Sequence, residues 1–195
     1  MLSQDDYWSY FNAVADSIPD DIESLSEPKI LEFLQRWKDS VWTENDQSPK
    51  QKIGNIRRVP RPHFTRTTRW MMDRVKDAID SYVCGRWLAS ISLCGTIAEI
   101  VSIHLLESHF RARGIDEAGG IDVLRTMIKN LNQVARLNML KKIGVVTKDE
   151  CKKVDSIRTI RNNHMHQLTN AAEIESDCLQ ALNDLVEFLN NHPIP

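Results

Sequence analysis

The sequence of 195 residues is poor in the two residues that shape tight turns, with seven glycines and seven prolines. Chains rich in strands and tight turns need more of both, so this scarcity favours helices. The acidic start, MLSQDDYWSY, lacks the apolar stretch behind basic residues that marks a signal peptide. No apolar run is expected to reach the ~20 residues that cross a bilayer. We therefore expect a helical, cytoplasmic protein without a membrane partner.

Cysteine is also sparse, and no two cysteines form a CxxC pair. The four, at core-facing positions of expected helices, are Cys84, Cys94, Cys151 and Cys178. This scatter predicts reduced thiols in the core of a cytoplasmic protein, with a disulfide as the less favoured alternative. No cofactor is expected.

Acidic residues are absent from one stretch, residues 50–69, although the net charge of the chain is only −2. Residues 1–49 carry eleven acidic and three basic side chains, whereas residues 50–69 carry seven basic ones. The seven are Lys50, Lys52, Arg57, Arg58, Arg61, Arg66 and Arg69. Such a basic cluster can bind phosphate groups, but a solvated linker has the same composition.

Helical periodicity covers nearly the whole chain and predicts an all-α fold. Residues 4–17 and 28–42 are expected to form an N-terminal helical hairpin, and 43–63 an irregular connection. The main body is expected to contain helices at 66–83, 86–112 and 121–142, one from the Thr147 capping box to about His166, and a last one that includes Ile174 and Leu189. Helix 86–112 is the most apolar, which is typical of a central helix. The predicted organisation is an N-terminal extension with a basic linker at 1–62 and an antiparallel helical bundle at 63–195.

One stretch near the C-terminus, SIRTIRNNHMHQ, places polar residues where the apolar stripe of a helix should continue. Arg161 lies seven residues after Val154, so two helical turns return it to the same face, which Met165 and Leu168 extend. The Arg161 side chain is therefore expected to face the core or a packed interface. A guanidinium there needs an anion or carbonyl groups as partners.

The long central helix offers one anion, Glu99, which is the only acid between Arg86 and Glu107. It falls on a strip of small residues, namely Ser92, Gly95, Ala98 and Ser102. We expect Glu99 to be a buried or half-buried partner of the 161–166 segment. A solvent-facing Glu99 is the alternative.

The two histidines of the stretch point in different directions. His164 and His166 are ~200° apart on an ideal helix, so the pair is a poor metal site and no metal is expected. Asn162 and His166 are four residues apart and share a face. Arg161 and His166 are ~140° and ~7.5 Å apart, which is awkward for one helix. Two copies of the helix across a twofold axis could bring two arginines and two histidines around one groove.

The segment Arg161-Asn-Asn-His-Met-His166 resembles the signature of HEPN domains, an arginine followed by a polar residue and, four to six positions on, a histidine. The surrounding order is similar too: a helix ending in DAIDSYVCGRW, a long helix with TIAEI, a helix pair, the Arg-Asn motif and one last helix. This order resembles bacterial HEPN-like domains of unassigned function. The resemblance covers about residues 65–192, while residues 1–62 have no recognised counterpart.

The resemblance implies a HEPN-type bundle and a homodimer that cleaves RNA without a metal. It implies His166 as the general acid or base, Arg161 as the group that stabilises the phosphorane, Asn162 as a holder of the histidine or a phosphate oxygen, and Glu99 as the residue that positions Arg161. The chemistry is sensible in itself, because histidine titrates near neutrality and a fixed guanidinium stabilises developing negative charge.

Contacts with single-stranded RNA are expected from the basic cluster and one histidine, namely Arg57, Arg58, Arg61, Arg66, Arg69 and His164. Trp70, His63 and Phe64 are available for stacking on bases, although Trp70 also suits a core position. The family further implies a toxin or phage-defence role with an antitoxin or defence-system partner. Two alternatives stay open: a non-catalytic dimerisation or adaptor module with a polar network at its seam, and a purely structural bundle.

Overall fold

The computed structural model describes residues 9, 12–37, 48–63, 68–114, 120–166 and 171–192. Every regular element in these ranges is helical, which confirms the all-α prediction. After a helical stretch at 12–16 and a 3-10 turn at Ile22–Ser24, the helices are α1 (Glu27–Trp37), α2 (Pro49–Arg58), α3 (Arg69–Val83), α4 (Trp87–Arg111), α5 (Gly120–Asn130), α6 (Gln133–Lys142), α7 (Lys148–His166) and α8 (Ala171–Asn191).

Helix α4 is the centre of the bundle, as predicted, and packs against α3, α5, α6, α7 and α8. Its inward side chains, among them Ile91, Ile97 and Val101, are fully buried. By length and composition alone, α4 is the one helix among the described residues that could cross a membrane, with a mean hydropathy of 1.6 over 18 residues, although Glu99 interrupts its apolar sequence. The contacts of α4 with five other helices account for this apolar character within the fold.

Helix α2 lies within residues 43–63, where an irregular connection was expected. Pro49 suggested a break, but it occupies the first turn, where a backbone N–H is not needed. Ser48 and Gln51 form a capping box around the same turn. Ile53 and Ile56 are fully buried and belong to the hydrophobic core that α3, α4 and α8 share. The predicted boundary at 62/63 therefore separates residues that pack in one core.

The single helix expected at 121–142 is two helices, α5 and α6. Asn132 ends the continuity because its side chain accepts a hydrogen bond from Ala135 N, 2.9 Å away, and caps α6. The apolar repeat continues through the break, since Leu131 is half-buried and Leu137 and Leu140 are buried. Periodicity alone therefore could not reveal it.

The cysteine prediction is confirmed in part and the hairpin prediction stays open. All four cysteines are free thiols, and three are buried while Cys151 is half-buried. Val14 and Ala15 are buried, as are Ile30 and Leu34 of α1. Residues 1–8, 10–11 and 38–47 lie outside the described part of the chain, so the N-terminal hairpin remains a prediction.

Helix α7 begins at the capping box that the sequence predicts. Glu150 Nα donates to Thr147 Oγ1 at 3.2 Å, and Thr147 N donates to Glu150 Oε2 at 2.7 Å. The same carboxylate accepts from Asn191 Nδ2 at 3.1 Å and lies 3.1 Å from His192 Nε2. Burial alone would raise the pKa of Glu150, but these hydrogen bonds from Thr147 and the nearby His192 lower it below its ordinary value.

Glu150→Gln is expected to lower the free energy of unfolding at pH 7 by about 1.5–3 kcal/mol, the range of a charge-assisted hydrogen bond. A lowered folded-state pKa means that the contribution of Glu150 is complete above the ordinary carboxyl pKa and is lost as the pH falls through the folded value. Urea unfolding of wild type and variant between pH 7 and pH 3 measures this effect. The difference in free energy of unfolding between the two proteins should become smaller as the pH falls. Glu173→Gln, in the exposed first turn of α8, is the matched control, and an equal effect there would contradict the assignment.

Candidate functional site

The inward stripe of α7 carries both apolar and polar side chains. Val154, Ile157 and His164 are buried, and Arg161 is half-buried between them. Met165 was expected to extend this stripe, which is wrong because 53% of it is exposed. His164 and Met165 lie on opposite sides of the stripe, and the contact of α7 with α8 covers the side of His164.

Arg161 lies across the surface of α4 at Gly95. A β-carbon at Gly95 would come within 2.4 Å of Arg161 Cδ and 3.1 Å of Arg161 Nε, so glycine is what permits this close approach. Arg161 Nη1 is 3.9 Å from Glu99 Oε2, which is within ion-pair range but too long for a hydrogen bond. The predicted partnership of Glu99 with Arg161 is therefore present as a loose ion pair.

A second arginine, which the sequence analysis missed, makes the shorter contact with Glu99. Arg136 Nη2 donates to Glu99 Oε1 at 2.5 Å, and its side chain is 2% exposed. Arg136 Nη1 donates at 2.6 Å to the carbonyl of Leu131, just after the end of α5, and at 3.3 Å to the carbonyl of Ile128, which also accepts from Leu131 N. The sequence does indicate that Arg136 is buried, because it lies between Gln133 and Leu140 at helical spacing, on the buried face of α6.

The two histidines of α7 have different surroundings. His164 Nε2 is 2.7 Å from Asp177 Oδ2, and 1% of the His164 side chain is exposed. The expected RNA contact of His164 is therefore wrong, because its ring is not at the surface. His166 is exposed and Asn162 is half-buried, so the face that these two share is the open one.

The basic cluster of residues 50–69 is largely neutralised within the chain. Arg57 forms an ion pair with Asp20 and donates to its carbonyl at 2.9 Å. Arg58 pairs with Glu175 at 2.5 Å. Arg61 Nε donates to Asp16 Oδ1 at 3.1 Å, so the acidic N-terminal residues supply part of the compensation.

The other side chains predicted to contact RNA are either exposed or outside the described residues. Arg69 and His63 are exposed, and Trp70 is 45% exposed, which favours the surface alternative over the core for this ring. Arg66 and Phe64 lie outside the described residues. The structure brings Glu99 and Arg161 together but leaves the basic cluster on other elements.

No protein-family model, curated protein or solved structure matches the chain. The site therefore has to be interpreted from its own chemistry. Among the described residues, no group of three or more His, Cys, Asp or Glu side chains could hold a metal ion.

The chemistry of this site is that of an anion-binding arginine. Two guanidinium groups and one carboxylate leave one net positive charge around Glu99. Arg136 is buried and bonded to carbonyls, so the excess charge is available at Arg161, whose side chain is 27% exposed. No described residue accepts a hydrogen bond from Arg161, although a guanidinium carries five N–H donors. The Arg161 side chain is held in place, and its N–H groups are available to an anionic ligand.

Arg136→Met is expected to lower the free energy of unfolding by about 1–3 kcal/mol, because the Leu131 carbonyl loses its donor and Glu99 loses its closest cationic partner. Methionine replaces the stem of the side chain and removes the charged guanidinium. Urea unfolding measures the difference. Arg158→Met is the control, since Arg158 pairs with the half-exposed Asp155 on its own helix and such surface pairs contribute ~0–1 kcal/mol. Equal losses in both variants would show that the carbonyl contacts of Arg136 contribute nothing.

Proposed function

We propose that this protein is a metal-independent endoribonuclease of the HEPN type that acts as a homodimer in the cytoplasm. The observation that carries the proposal is Arg161, which is held against Gly95 and Glu99 yet has no acceptor among the described residues. It lies next to Asn162 and near the exposed His166 on one helix. These are the positions to which the HEPN resemblance assigns catalysis.

The proposed reaction uses the 2′-hydroxyl of the RNA as the nucleophile. His166 accepts the proton of this hydroxyl while water protonates the leaving 5′-oxygen, or His166 protonates the 5′-oxygen while water accepts the proton of the hydroxyl. The 2′-oxygen forms a bond with phosphorus while the bond to the 5′-oxygen breaks, which leaves a 2′,3′-cyclic phosphate. Arg161 stabilises the negative charge that builds on the phosphorane, Asn162 holds the ring or a phosphate oxygen, and Glu99 positions Arg161.

A second copy of the chain completes the proposed site. Arg161 points toward α4, whereas His166 is on the exposed side of α7. Met165, beside His166, is 53% exposed and would supply apolar contact at a twofold seam. A self-complementary contact of two α7 helices would then place each arginine near the histidine of the other copy.

The decisive experiment is cleavage of a labelled single-stranded RNA in excess EDTA. Wild type should cleave and produce 2′,3′-cyclic phosphate ends, and Arg161→Ala should be slower by about 10²–10³-fold. An otherwise identical substrate with 2′-deoxyribose at the cleavage position should resist, because it lacks the nucleophile. Cleavage that requires a metal, or that continues unchanged in Arg161→Ala, would refute the proposal.

A non-catalytic dimerisation or adaptor module is the second candidate. It is favoured by the Glu99–Arg136 contact, which stabilises the α4–α6 packing whether or not RNA binds. In that case wild type would show no nuclease activity and Arg161→Ala would lose the dimer in a measurement of mass in solution. The toxin or phage-defence role, with an antitoxin or defence partner, rests on the same HEPN resemblance and follows only if cleavage is found.

A further inference from the structure

Helices α6 and α7 enclose a surface pocket of about 250 Å³ at some distance from Arg161. Three lysines line it, Lys141 from α6 and Lys148 and Lys152 from the first turns of α7. The remaining lining residues are Val134, Leu137, Asn138, Cys151 and Asp155. The pocket thus combines an apolar floor with amino groups from two helices.

The charges of this pocket are poorly compensated. Lys152 contacts Asp149 at 2.9 Å, but both side chains are largely exposed, so the pair is weak. Asp155, the only carboxylate among the described residues that line the pocket, is 2.8 Å from Arg158 Nη2. No described carboxylate forms an ion pair with Lys141 or Lys148. This differs from the basic cluster at 50–69, in which Arg57, Arg58 and Arg61 are all paired.

An outward stripe of α7 connects the pocket to the proposed catalytic residues. Its members, alternately four and three residues apart, are Lys148, Lys152, Asp155, Thr159, Asn162 and His166. All six are exposed or half-buried. The 18 residues from first to last are five helical turns, so Lys148 and His166 face the same way about 27 Å apart.

We propose that this lysine pocket is a second phosphate-binding site, which holds a backbone phosphate of the RNA whose cleaved bond lies at Arg161 and His166. The proposal deepens the proposed function and rests on it. A strand that follows the outward stripe of α7 meets uncompensated positive charge at one end and the acid–base residue at the other. Amino groups bind phosphates without selecting bases, so the pocket adds affinity and fixes direction but does not choose sequence.

The test measures RNA binding in the His166→Ala background, so that no substrate is consumed. The triple variant Lys141→Gln, Lys148→Gln, Lys152→Gln is compared with Lys29→Gln, Lys50→Gln, Lys129→Gln, which removes the same charge from other surfaces. Fluorescence anisotropy of a labelled single-stranded RNA is followed over a range of salt concentrations. The pocket variant should bind at least about tenfold more weakly, and its slope of log affinity against log salt should be smaller by about 2, since each lost contact with a single strand contributes about 0.7.

A second measurement uses the unmutated chain. Cys151 lines the pocket and is the only half-buried cysteine, so bound RNA should protect it from alkylation by iodoacetamide, measured by mass spectrometry. Inorganic phosphate and a free mononucleotide are tested alongside. Protection by either of these that equals protection by RNA would assign the pocket to a free phosphate ligand and overturn the proposal.

The outcomes separate the two proposals. If wild type cleaves RNA but the pocket and control variants bind it equally, the second site is refuted and the endoribonuclease stands. If the His166→Ala protein does not bind RNA at all, the second site is refuted as well. If wild type never cleaves but the pocket variant alone loses binding and Cys151 is protected by RNA, the phosphate site stands and the catalytic proposal fails.

Discussion

Replacing His166 with alanine is expected to slow RNA cleavage by about 10²–10⁴-fold, which is the usual contribution of a general acid or base. His166 is the exposed histidine of α7, whereas His164 is buried against Asp177. Because the ring is at the surface, its loss should leave the fold and the free energy of unfolding nearly unchanged. Single-turnover cleavage of a labelled RNA measures the effect, and Asn163→Ala, exposed on the same helix, is the control. A His166→Ala protein as fast as wild type would remove His166 from the chemistry.

Mixing two inactive variants tells whether the site is shared between copies. If Arg161 of one copy acts with His166 of the other, a heterodimer of Arg161→Ala and His166→Ala contains one intact site. Random pairing makes half of the dimers mixed, each with one of two sites, so about a quarter of wild-type activity should return. No recovery, with exchange of subunits verified by mass, would place both residues of a site in the same copy.

Gly95→Ala is expected to reduce cleavage by about 10²-fold, because a misplacement of about 1 Å at a catalytic group can have that effect. The added methyl would occupy the space of Arg161 Cδ, 2.4 Å away, and push the guanidinium from its position beside Glu99. The free energy of unfolding should not decrease. The atoms that must move belong to a flexible side chain, and alanine is better than glycine in a helix by up to about 1 kcal/mol.

Gly54→Ala is a matched control for this substitution. Gly54 is also inside a helix, and a β-carbon there would meet only Ile22 Cδ1, at an ordinary 3.8 Å. Both variants should be as stable as wild type or more so in urea unfolding, and only Gly95→Ala should lose activity. Full activity of Gly95→Ala would mean that the position of Arg161 does not matter for cleavage, which would contradict the proposed role of this arginine.

The helices were predictable from sequence wherever apolar spacing and end signals agreed. Gly114 and Gly144 are end signals of this kind, because they follow the ends of α4 and α6 with positive φ angles of 78° and 74°, a conformation that favours glycine. Errors arose where one residue type has two uses. Pro49 breaks a helix in its interior but fits its first turn, and the apolar repeat of 121–142 does not show that Asn132 caps a new helix.

The site was predictable in its ion pair but not in its surroundings. The spacing of seven residues from Val154 to Arg161, and Glu99 as the only acid between Arg86 and Glu107, were enough to pair Arg161 with Glu99. The spacing of Arg136 indicates that it is buried but does not identify its partners, since the Leu131 carbonyl is available to it only because the chain breaks between α5 and α6. Whether His164 or Met165 is buried depends on which side of α7 is covered by α8. This follows from the packing of the helices and not from the spacing of residues along the sequence.

The burial of α2 limits how the first part of the chain could control the rest. Ile53 and Ile56 are fully buried, Asn55 Nδ2 donates to Val83 O, and His63 N donates to Asn190 Oδ1. Swinging this part away would expose those side chains to water at about 1.5–3 kcal/mol each. It therefore cannot serve as a freely hinged cover over the arginine. Regulation through this part would therefore require local unfolding, on a timescale of about microseconds to seconds, whereas loop motions take about nanoseconds to microseconds.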